Sequence, residues 1–516
     1  MTTERTAATA TRSRTIPLGP CLIAFFVGAT VLSAWFLIRP LHSPFASLGY
    51  YHPPAAFTAT YAFNKAANLL FVPYALALFA WWRGQRVAFR WILGGAVLLH
   101  VMVVLAPPPG TQDVNQYLFY GRMWVVHHFN PYVVQPAAPR ALNMDPWFTT
   151  WIKWPTQTSV YGPVWTLLTA GVVAVAGNSH SVAYVAMKLV VLALDLFTMW
   201  MIVVAARDAE RDGSEVERFG AGFGLLVYAW NPLILLTVPL AGLADVALAA
   251  GLTAAYVARR RGHPWVTTVL LTLASLVKIY AVVALLLHLV VTVRERGWRR
   301  AGAHTALAGG LAVAAFAPFW AGLATFTGLL HVAGLTNHSL AGTVQRVLTP
   351  ALRVVGVPGP YRIAGDVVRW VGTALLIWSA VWVTARAKED RDVWRGAVLI
   401  LSVYFLVTPW FLYWYLVAPI ALLALMPRDR LMPATITASG TLLITTAFWP
   451  WLLAQIIEVT LRYAPPLYVY ARLGRRRTGT VGAAPVVDAP GPGVEPLPTP
   501  ASPGGASLAR DATAAR

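Results

Sequence analysis

Apolar runs of about 20 residues, the length that an α-helix needs to cross a bilayer, recur along most of the chain. Short basic or polar segments separate them. The first run covers 16–38, and similar runs continue to residue 470. This pattern predicts an all-α polytopic membrane protein, and its length allows about 12–14 transmembrane helices.

Composition and charge agree with this prediction. Of the 516 residues, 58% are apolar and only 12% are charged, and the net charge is +20. The basic residues lie in short clusters between apolar runs, as expected of loops on the cytoplasmic side of a membrane. We therefore expect membrane lipids as partners and no nucleic acid.

The position of the basic clusters predicts the side of the membrane that each segment faces. Residues 1–15 carry three arginines and are predicted to be a cytoplasmic N-terminus, followed by a membrane domain over 16–470. Within it, 111–160 and 321–365 are predicted to be outer loops. The Pro/Gly/Ala-rich tail, 471–516, is predicted to be disordered.

Two runs do not fit simple crossings. An odd number of crossings must separate the first outer loop from the arginines at 259–261, yet four apolar runs lie between them. We interpret 161–177 as a partial or re-entrant helix, while leaving out 243–258 instead remains an alternative. The run 264–293 is interrupted near Lys278, which predicts two short helices that meet at the outer surface.

A carboxylate beside lipid is costly and is therefore a candidate for function. Most of the 20 acids lie in the termini or share inner loops with arginines. Six others remain: Asp113, Asp145, Asp195, Asp245, Asp366 and Glu458. A cap at the start of a helix is the simpler interpretation for Asp145 and Asp366. For Asp195 it is a polar contact between helices, and for Glu458 a pair with Arg462 on the same helix. Asp113 differs because it directly follows the proline-rich stop at 105–110 and opens a polar, aromatic segment.

The segments around these acids form an ordered set of motifs. They are Asp113-Val-Asn115-Gln-Tyr117, Asn130-Pro-Tyr132, Tyr161-Gly-Pro163, Gly242-Leu-Ala-Asp245, Leu276-Val-Lys278 and Thr408-Pro-Trp410 with Trp414. In this order they resemble the polyprenyl-phosphate-sugar-dependent glycosyltransferases of the GT-C superfamily. Within it they are most similar to the actinobacterial polyprenol-phosphomannose-dependent α-mannosyltransferases. The resemblance covers roughly 94–419.

The resemblance implies a GT-C fold whose large first outer loop is catalytic. It also implies transfer of mannose from a polyprenyl-phosphate donor to a hydroxyl of a glycolipid or glycan acceptor, at the outer face of a bacterial plasma membrane. The first-loop carboxylate, Asp113, would be the base. One base is enough for an inverting transfer, because the donor already carries a phosphate leaving group. No metal and no other cofactor are expected.

The donor phosphate needs a cation, and Lys278 is the first candidate because it lies between two apolar half-runs. Arg346 and His338 in the second outer loop, and Arg122 in the first, are alternatives. Asp245 is a candidate to orient Lys278 or an acceptor sugar. The residues expected to contact substrate are Asn115, Tyr117, Asn130, Tyr132, Asp145, Tyr161, Asp245, Trp410 and Trp414.

A transporter or flippase of lipid-linked sugars is the alternative function from another class. Such a protein is expected to show charged or broken helices at mid-membrane in two paired halves. Here the broken run is single and the unusual loop is external. Transfer from labelled polyprenyl-phosphomannose would separate the two functions.

Overall fold

The protein is helical throughout the part of the chain that the structure describes. The computed structural model describes residues 17–38, 67–104, 113–152, 154–211, 220–444 and 452–478. Within these ranges there is no β-strand, only an isolated bridge between Ala321 and Leu323. The predicted all-α membrane fold is confirmed. The predicted cytoplasmic segment 1–15 and most of the predicted tail, 479–516, lie outside the described residues.

Most of the described helices lie within apolar runs, and five of them begin at a proline, which needs no N–H partner at this position. In chain order they are α1 (Leu18–Ile38), α2 (Phe71–Trp82), α3 (Phe89–Val104), α4 (Asp113–Val125), α5 (Arg140–Asn143), α6 (Pro146–Trp151), α7 (Pro163–Ala176), α8 (His180–Arg211), α9 (Gly220–Tyr228), α10 (Pro232–Leu235), α11 (Asp245–Arg260), α12 (Pro264–Ser275), α13 (Val282–Arg296), α14 (Trp298–Phe316), α15 (Thr327–Ala333), α16 (Leu340–Val354), α17 (Pro360–Arg386), α18 (Asp390–Val407), α19 (Val417–Ala424), α20 (Leu431–Ile444) and α21 (Leu452–Thr478).

Three of the described helices are long and apolar enough to cross a membrane unaided: α8, α14 with its extension to Phe319, and α17. A fourth candidate is α9 followed by Pro232–Leu240, a pair bent by 57°. The other apolar helices are shorter, so the count of 12–14 spans stays a prediction.

Helix breaks place irregular backbone inside the bundle. Asn231 is the last residue of the segment between α9 and α10. Its side-chain oxygen accepts a hydrogen bond of 2.9 Å from the Leu233 N–H and thereby caps α10. A π-helical turn, Leu236–Leu240, follows and contains Pro239. Between α12 and α13 the chain is extended at Lys278, so the interruption predicted near this residue is present.

The two ends of α11 differ in charge. Asp245 begins this helix and Arg259 lies in its last turn. Arg259 pairs with Glu295 at 2.6 Å and with Asp390 at 2.5 Å, and Arg261 pairs with Asp208 at 2.8 Å. We refer to this end, with Arg259–Arg261, Arg294, Arg299 and Arg300, as the arginine-rich end.

Two buried charged side chains of α8, Asp195 and Lys188, have hydrogen-bond partners within the bundle. Asp195 on α8 lies 2.5 Å from the His100 ring on α3 and accepts a hydrogen bond of 2.9 Å from the Tyr228 hydroxyl. The contact between helices predicted for Asp195 is therefore present. The prediction that Asp366 begins a helix is wrong, because α17 begins at Pro360 and Asp366 lies within it, paired with Arg369. Lys188 lies two turns before Asp195 on α8. Its ammonium donates to the Pro239 carbonyl at 2.5 Å, so this carbonyl of the π-helical turn has a partner.

The chain divides into two units, Met1–Leu473 and Gly474–Arg516. The first contains every predicted site residue. In the second, 474–478 are described and are helical, as the end of α21. This helix extends past residue 471, where the disordered tail was predicted to begin.

Candidate active site

Several interrupted segments meet at the end of α11 opposite the arginine-rich end. The Gly162 N–H donates to the Val277 carbonyl at 2.9 Å, and the Val164 N–H donates to the Leu276 carbonyl at 3.1 Å. These bonds join the start of α7 to the break between α12 and α13. The Ala244 N–H, just before α11, donates to the Tyr117 hydroxyl at 3.4 Å, which adds α4 to the same place.

Gly162 allows the closest of these approaches. A Cβ atom at this position would lie 2.0 Å from the Leu276 carbonyl oxygen and 2.4 Å from its carbon. Real Cβ atoms do not come this close to backbone, so only glycine fits. The Tyr161-Gly-Pro163 motif therefore has a physical reason: it lets the α7 turn dock on the backbone that carries Lys278.

A buried ion pair lies at the centre of this junction. The Lys278 ammonium donates to one oxygen of the Asp245 carboxylate at 2.6 Å, and the Tyr280 hydroxyl donates to the other oxygen. Asp245 has no solvent exposure, whereas the Lys278 side chain is 12% exposed. The Lys278 ammonium also lies 5.9 Å from the Tyr161 ring centroid and 5.2 Å from that of Tyr415. Asp245 thus orients Lys278, and three tyrosines surround the cation.

Asp113 begins α4 at the edge of the same aromatic cluster and is half-buried. One turn further on, Tyr117 packs edge-on against Tyr161, with ring centroids 4.6 Å apart. The Tyr161 ring in turn lies 5.9 Å from the Lys278 ammonium, and the Tyr117 hydroxyl accepts from the Ala244 N–H directly before Asp245. Asp113 and the Asp245–Lys278 pair therefore face a common set of tyrosines.

Asn130 and Tyr132 hold the first loop in place. The Asn130 side chain donates to the Phe319 carbonyl at 2.7 Å and accepts from the Tyr132 N–H at 3.0 Å. The Tyr132 hydroxyl donates to the Tyr161 carbonyl at 2.8 Å and lies 2.9 Å from the Thr166 hydroxyl. Their polar atoms thus bond to the protein itself, at the turn that positions Tyr161.

Arg122 and Asp145, predicted separately, bond to each other. The Asp145 carboxylate accepts from Arg122 Nε at 2.8 Å and lies 2.6 Å from His127 Nε2. It also accepts from the Trp147 N–H, as the cap of α6. Burial raises the pKa of the Asp145 carboxyl, but these donors outweigh burial and hold the pKa below its usual value. The predicted cap is confirmed, and the ion pair closes the first loop on itself.

Asn115 and the two tryptophans lie at the margins of the junction. The Asn115 side-chain oxygen is 3.1 Å from His180 Nε2, and Asn115 is buried. Trp410 and Trp414 are partly exposed, and Trp414 packs edge-on against Tyr413 at 5.0 Å. Trp410 and Trp414, unlike the buried Asn115, therefore have exposed surface that a ligand could contact.

His338 and Arg346 belong to a different cluster, between α16 and α21. His338 Nδ1 lies 3.3 Å from the Glu458 carboxylate, and the His338 carbonyl accepts from Arg462 at 2.6 Å. Arg346 donates to the Gln455 side chain at 2.7 Å. The structure therefore does not place them beside Lys278.

The second loop nevertheless contacts the segment before α19 that carries Tyr415. The Asn337 side chain donates to the Phe411 carbonyl at 2.6 Å, and its backbone N–H donates to the Pro409 carbonyl at 3.0 Å. The Ser339 hydroxyl donates to the same carbonyl at 2.7 Å. The Thr408-Pro-Trp410 motif is thus the connection between the second loop and the aromatic cluster.

Tyr280 is a site residue that sequence reasoning missed. It follows Lys278 by two residues, in the 3-10 turn Ile279–Ala281, and its hydroxyl bonds to the same Asp245 carboxylate as the Lys278 ammonium. An aromatic hydroxyl at that spacing, beside a charged residue in an apolar run, is the signal that could have identified it.

Comparison with known proteins adds a family to this geometry. A family model described as Alpha-(1->6)-mannopyranosyltransferase, N-terminal domain, matches residues 23–294, more than half of the chain. The match includes Asp113, Asp245 and Lys278. A search of curated proteins found no match, and neither did a search of solved structures. The predicted resemblance is confirmed: this chain belongs to the alpha-(1->6)-mannopyranosyltransferase family, glycosyltransferases that act on mannose, and it carries the helical fold of a membrane protein.

Proposed function

We propose that the protein transfers mannose from polyprenyl-phosphate-mannose to a hydroxyl of a glycolipid or glycan, with inversion at the anomeric carbon. The observation that carries this function is the half-buried Asp113 carboxylate beside the tyrosines that surround Lys278. A transferase with a phosphate leaving group needs these two charges, a base for the acceptor and a cation for the phosphate.

In the proposed step, Asp113 accepts the proton of the acceptor hydroxyl. The hydroxyl oxygen attacks C1 of the mannose on the face opposite the phosphate, the C1–O bond breaks, and its electron pair leaves with polyprenyl phosphate. The leaving phosphate needs no proton, so a second acid is not required. A positioned base of ordinary strength supplies about 10²–10⁴-fold in rate. Among the described residues no three His, Cys, Asp or Glu side chains lie together, and the proposed step uses no metal.

Lys278 is proposed to bind the donor phosphate. An ammonium group has three N–H donors, and the bond to Asp245 uses one of them. The other two remain for phosphate oxygens, in charge-assisted hydrogen bonds. Because Asp245 is fully buried and fixed by Tyr280 as well, the ammonium is held in one direction before the donor arrives.

The aromatic side chains are proposed to provide the sugar-binding surface. Trp410 and Trp414 are partly exposed, and Trp414 directly precedes Tyr415, whose ring lies beside the Lys278 ammonium. Rings of this kind offer apolar faces to the C–H surface of a sugar. We assign Asn130, Tyr132 and the Arg122–Asp145 pair to the support of this surface, because their polar atoms bond within the loop.

Charge supports an outward-facing site. Segments that carry several arginines stay in the cytoplasm, and the arginine-rich end lies at the opposite end of α11 from Asp245. The proposed location is therefore a bacterial plasma membrane, with Asp113 facing outside.

This orientation is tested by applying an impermeant thiol reagent to cells that carry Leu323→Cys, or Trp298→Cys as control, each with Cys21→Ser. These positions are 85% and 73% exposed, and we expect only the first to react before the membrane is opened. The reverse labelling would exclude an outward-facing site.

The activity itself is tested with the purified protein in nanodiscs, given polyprenyl phosphate carrying labelled mannose and a mannoside acceptor. We expect label in the acceptor and release of polyprenyl phosphate. A transporter or flippase of lipid-linked sugar would instead move the intact donor across a vesicle membrane. If the donor stayed uncleaved and the protein moved it across the vesicle membrane, the proposed transferase function would be wrong.

A further inference from the structure

We propose that a cleft between α16 and α21 binds the phosphate headgroup of an anionic membrane phospholipid. The cleft has a volume of about 280 Å³. Its walls are formed by Arg346, Thr349, Pro350, Arg353, Tyr361, Leu452 and Gln455. Nothing in the transferase step above uses it, since it lies in the cluster apart from Lys278.

The charge of the cleft selects an anion. Arg346 and Arg353 are seven residues apart, two turns along one face of α16, and the described lining contains no carboxylate. Nearby acids already have partners, since Glu458 pairs with Arg462 and Asp366 with Arg369. 

The two guanidinium groups are suited to a phosphate. Arg346 is held by one bond from Nη1 to the Gln455 side chain, which leaves its other N–H donors for a ligand. Arg353 is exposed. Planar guanidinium groups bind phosphate oxygens in pairs of parallel hydrogen bonds.

The surroundings of the cleft favour a lipid over a free ion. Val347 on α16 is 42% exposed, Val354 is 88% exposed, and Leu453 on α21 is 69% exposed. A helix with basic and exposed apolar side chains is typical of the membrane interface, where headgroups lie above acyl chains. A ligand with one phosphate and two acyl chains would satisfy both the arginines and these apolar side chains.

The cleft is also connected to the site. Ser339 directly precedes α16; its hydroxyl caps the helix by accepting from the Gly342 N–H and donates to the Pro409 carbonyl. A lipid bound near Arg346 and Arg353 would anchor this helix, and with it the Thr408-Pro-Trp410 segment. Anionic lipid is therefore expected to raise the thermal stability of the protein.

The test compares nanodiscs of phosphatidylcholine with nanodiscs that also contain phosphatidylglycerol. Binding is measured by native mass spectrometry and by the melting temperature. R346Q/R353Q should weaken phosphatidylglycerol binding about tenfold or more, the loss expected for charge-assisted bonds, and abolish the lipid-dependent rise in melting temperature. The matched control R362Q/R386Q removes the same charge from exposed positions outside the cleft, keeps the Arg369–Asp366 pair, and should behave as wild type.

Three results would overturn the proposal. Equal lipid binding by R346Q/R353Q and its control would show that the cleft is not the site. Full competition by inorganic phosphate would indicate a free-anion site. A raised donor KM for R353Q in neutral nanodiscs would indicate a subsite for the sugar donor instead. If the double variant fails to fold, R353Q alone is measured for lipid binding, because Arg353 is exposed and its loss leaves the Arg346–Gln455 bond in place.

Discussion

The Lys278 ammonium and the Asp245 carboxylate are 2.6 Å apart. Lys278 lies in the break between α12 and α13, and Asp245 is the first residue of α11. The two residues are 33 positions apart in the chain. Asp245 is fully buried, and a buried carboxylate without a cation is strongly destabilising. Lys278 therefore has a structural role in the free protein besides its proposed role toward the donor phosphate, and the two roles can be separated by mutation.

Lys278→Met should lower both thermal stability and donor affinity. The buried Asp245 carboxylate loses its cation, and the donor phosphate loses a charge-assisted bond. Adding Asp245→Asn should restore part of the stability, because the unpaired charge is gone, whereas the donor KM should stay high. A double-mutant cycle of melting temperatures and donor KM values measures this. Coupling in pairs of this kind is about 0.5–3 kcal/mol.

Lys278→Arg is the conservative control for that cycle. It keeps the charge and should recover part of the donor affinity. A Lys278→Met protein with wild-type donor KM would contradict the proposed phosphate role of Lys278.

Gly162→Ala should separate α7 from the break between α12 and α13. The added Cβ would lie 2.0 Å from the Leu276 carbonyl oxygen, so the backbone beside Lys278 must move. A displacement of about 1 Å costs up to ~10²-fold in rate, and we expect a loss of that order in transfer together with a lower melting temperature. Gly171→Ala on the same helix is the control, because nothing lies within 4 Å of its Cβ. Equal activity of the two variants would show that this contact does not position the site.

The Asp145 ion pair should make stability depend on acid pH. The folded-state pKa of Asp145 lies below its usual value, because the donors from Arg122, His127 and the Trp147 N–H outweigh burial. Its contribution is therefore present above the unfolded pKa of about 3.9 and is lost as pH falls through the folded pKa.

Asp145→Asn keeps a cap for α6 but removes this titration, so its melting temperature should fall less steeply with acid than that of wild type. Asp366→Asn, in an exposed pair with Arg369, is the control. Identical pH profiles for wild type and Asp145→Asn would refute the ion-pair contribution.

Much of the fold could be predicted from the sequence. Apolar runs give helices because the backbone must satisfy its own hydrogen bonds in lipid, and the break near Lys278 was visible as a charge within such a run. The interpretation of 161–177 as a partial helix corresponds to α7, 14 residues long, although its depth in the membrane stays a prediction.

The partners of the site residues could not be predicted, because they depend on how distant helices pack. Asp245 was a candidate to orient Lys278, and the structure places the two together. Arg122 was a candidate for phosphate and Asp145 for substrate, yet they bond to each other across 23 residues. No local spacing rule relates positions so far apart.

Asp113→Asn gives the sharpest test of the mechanism. Asparagine keeps the shape of the side chain and is an equally good helix cap, but it cannot accept the acceptor proton. The variant should therefore insert and purify normally, bind the donor with unchanged KM, and turn over about 100-fold more slowly or worse.

Asp113→Glu should also be slow, because the added methylene moves the carboxylate by about 1 Å. Steady-state transfer from labelled polyprenyl-phosphomannose measures both. Near-normal turnover by Asp113→Asn would exclude Asp113 as the base, since a carboxylate that only begins α4 tolerates this change.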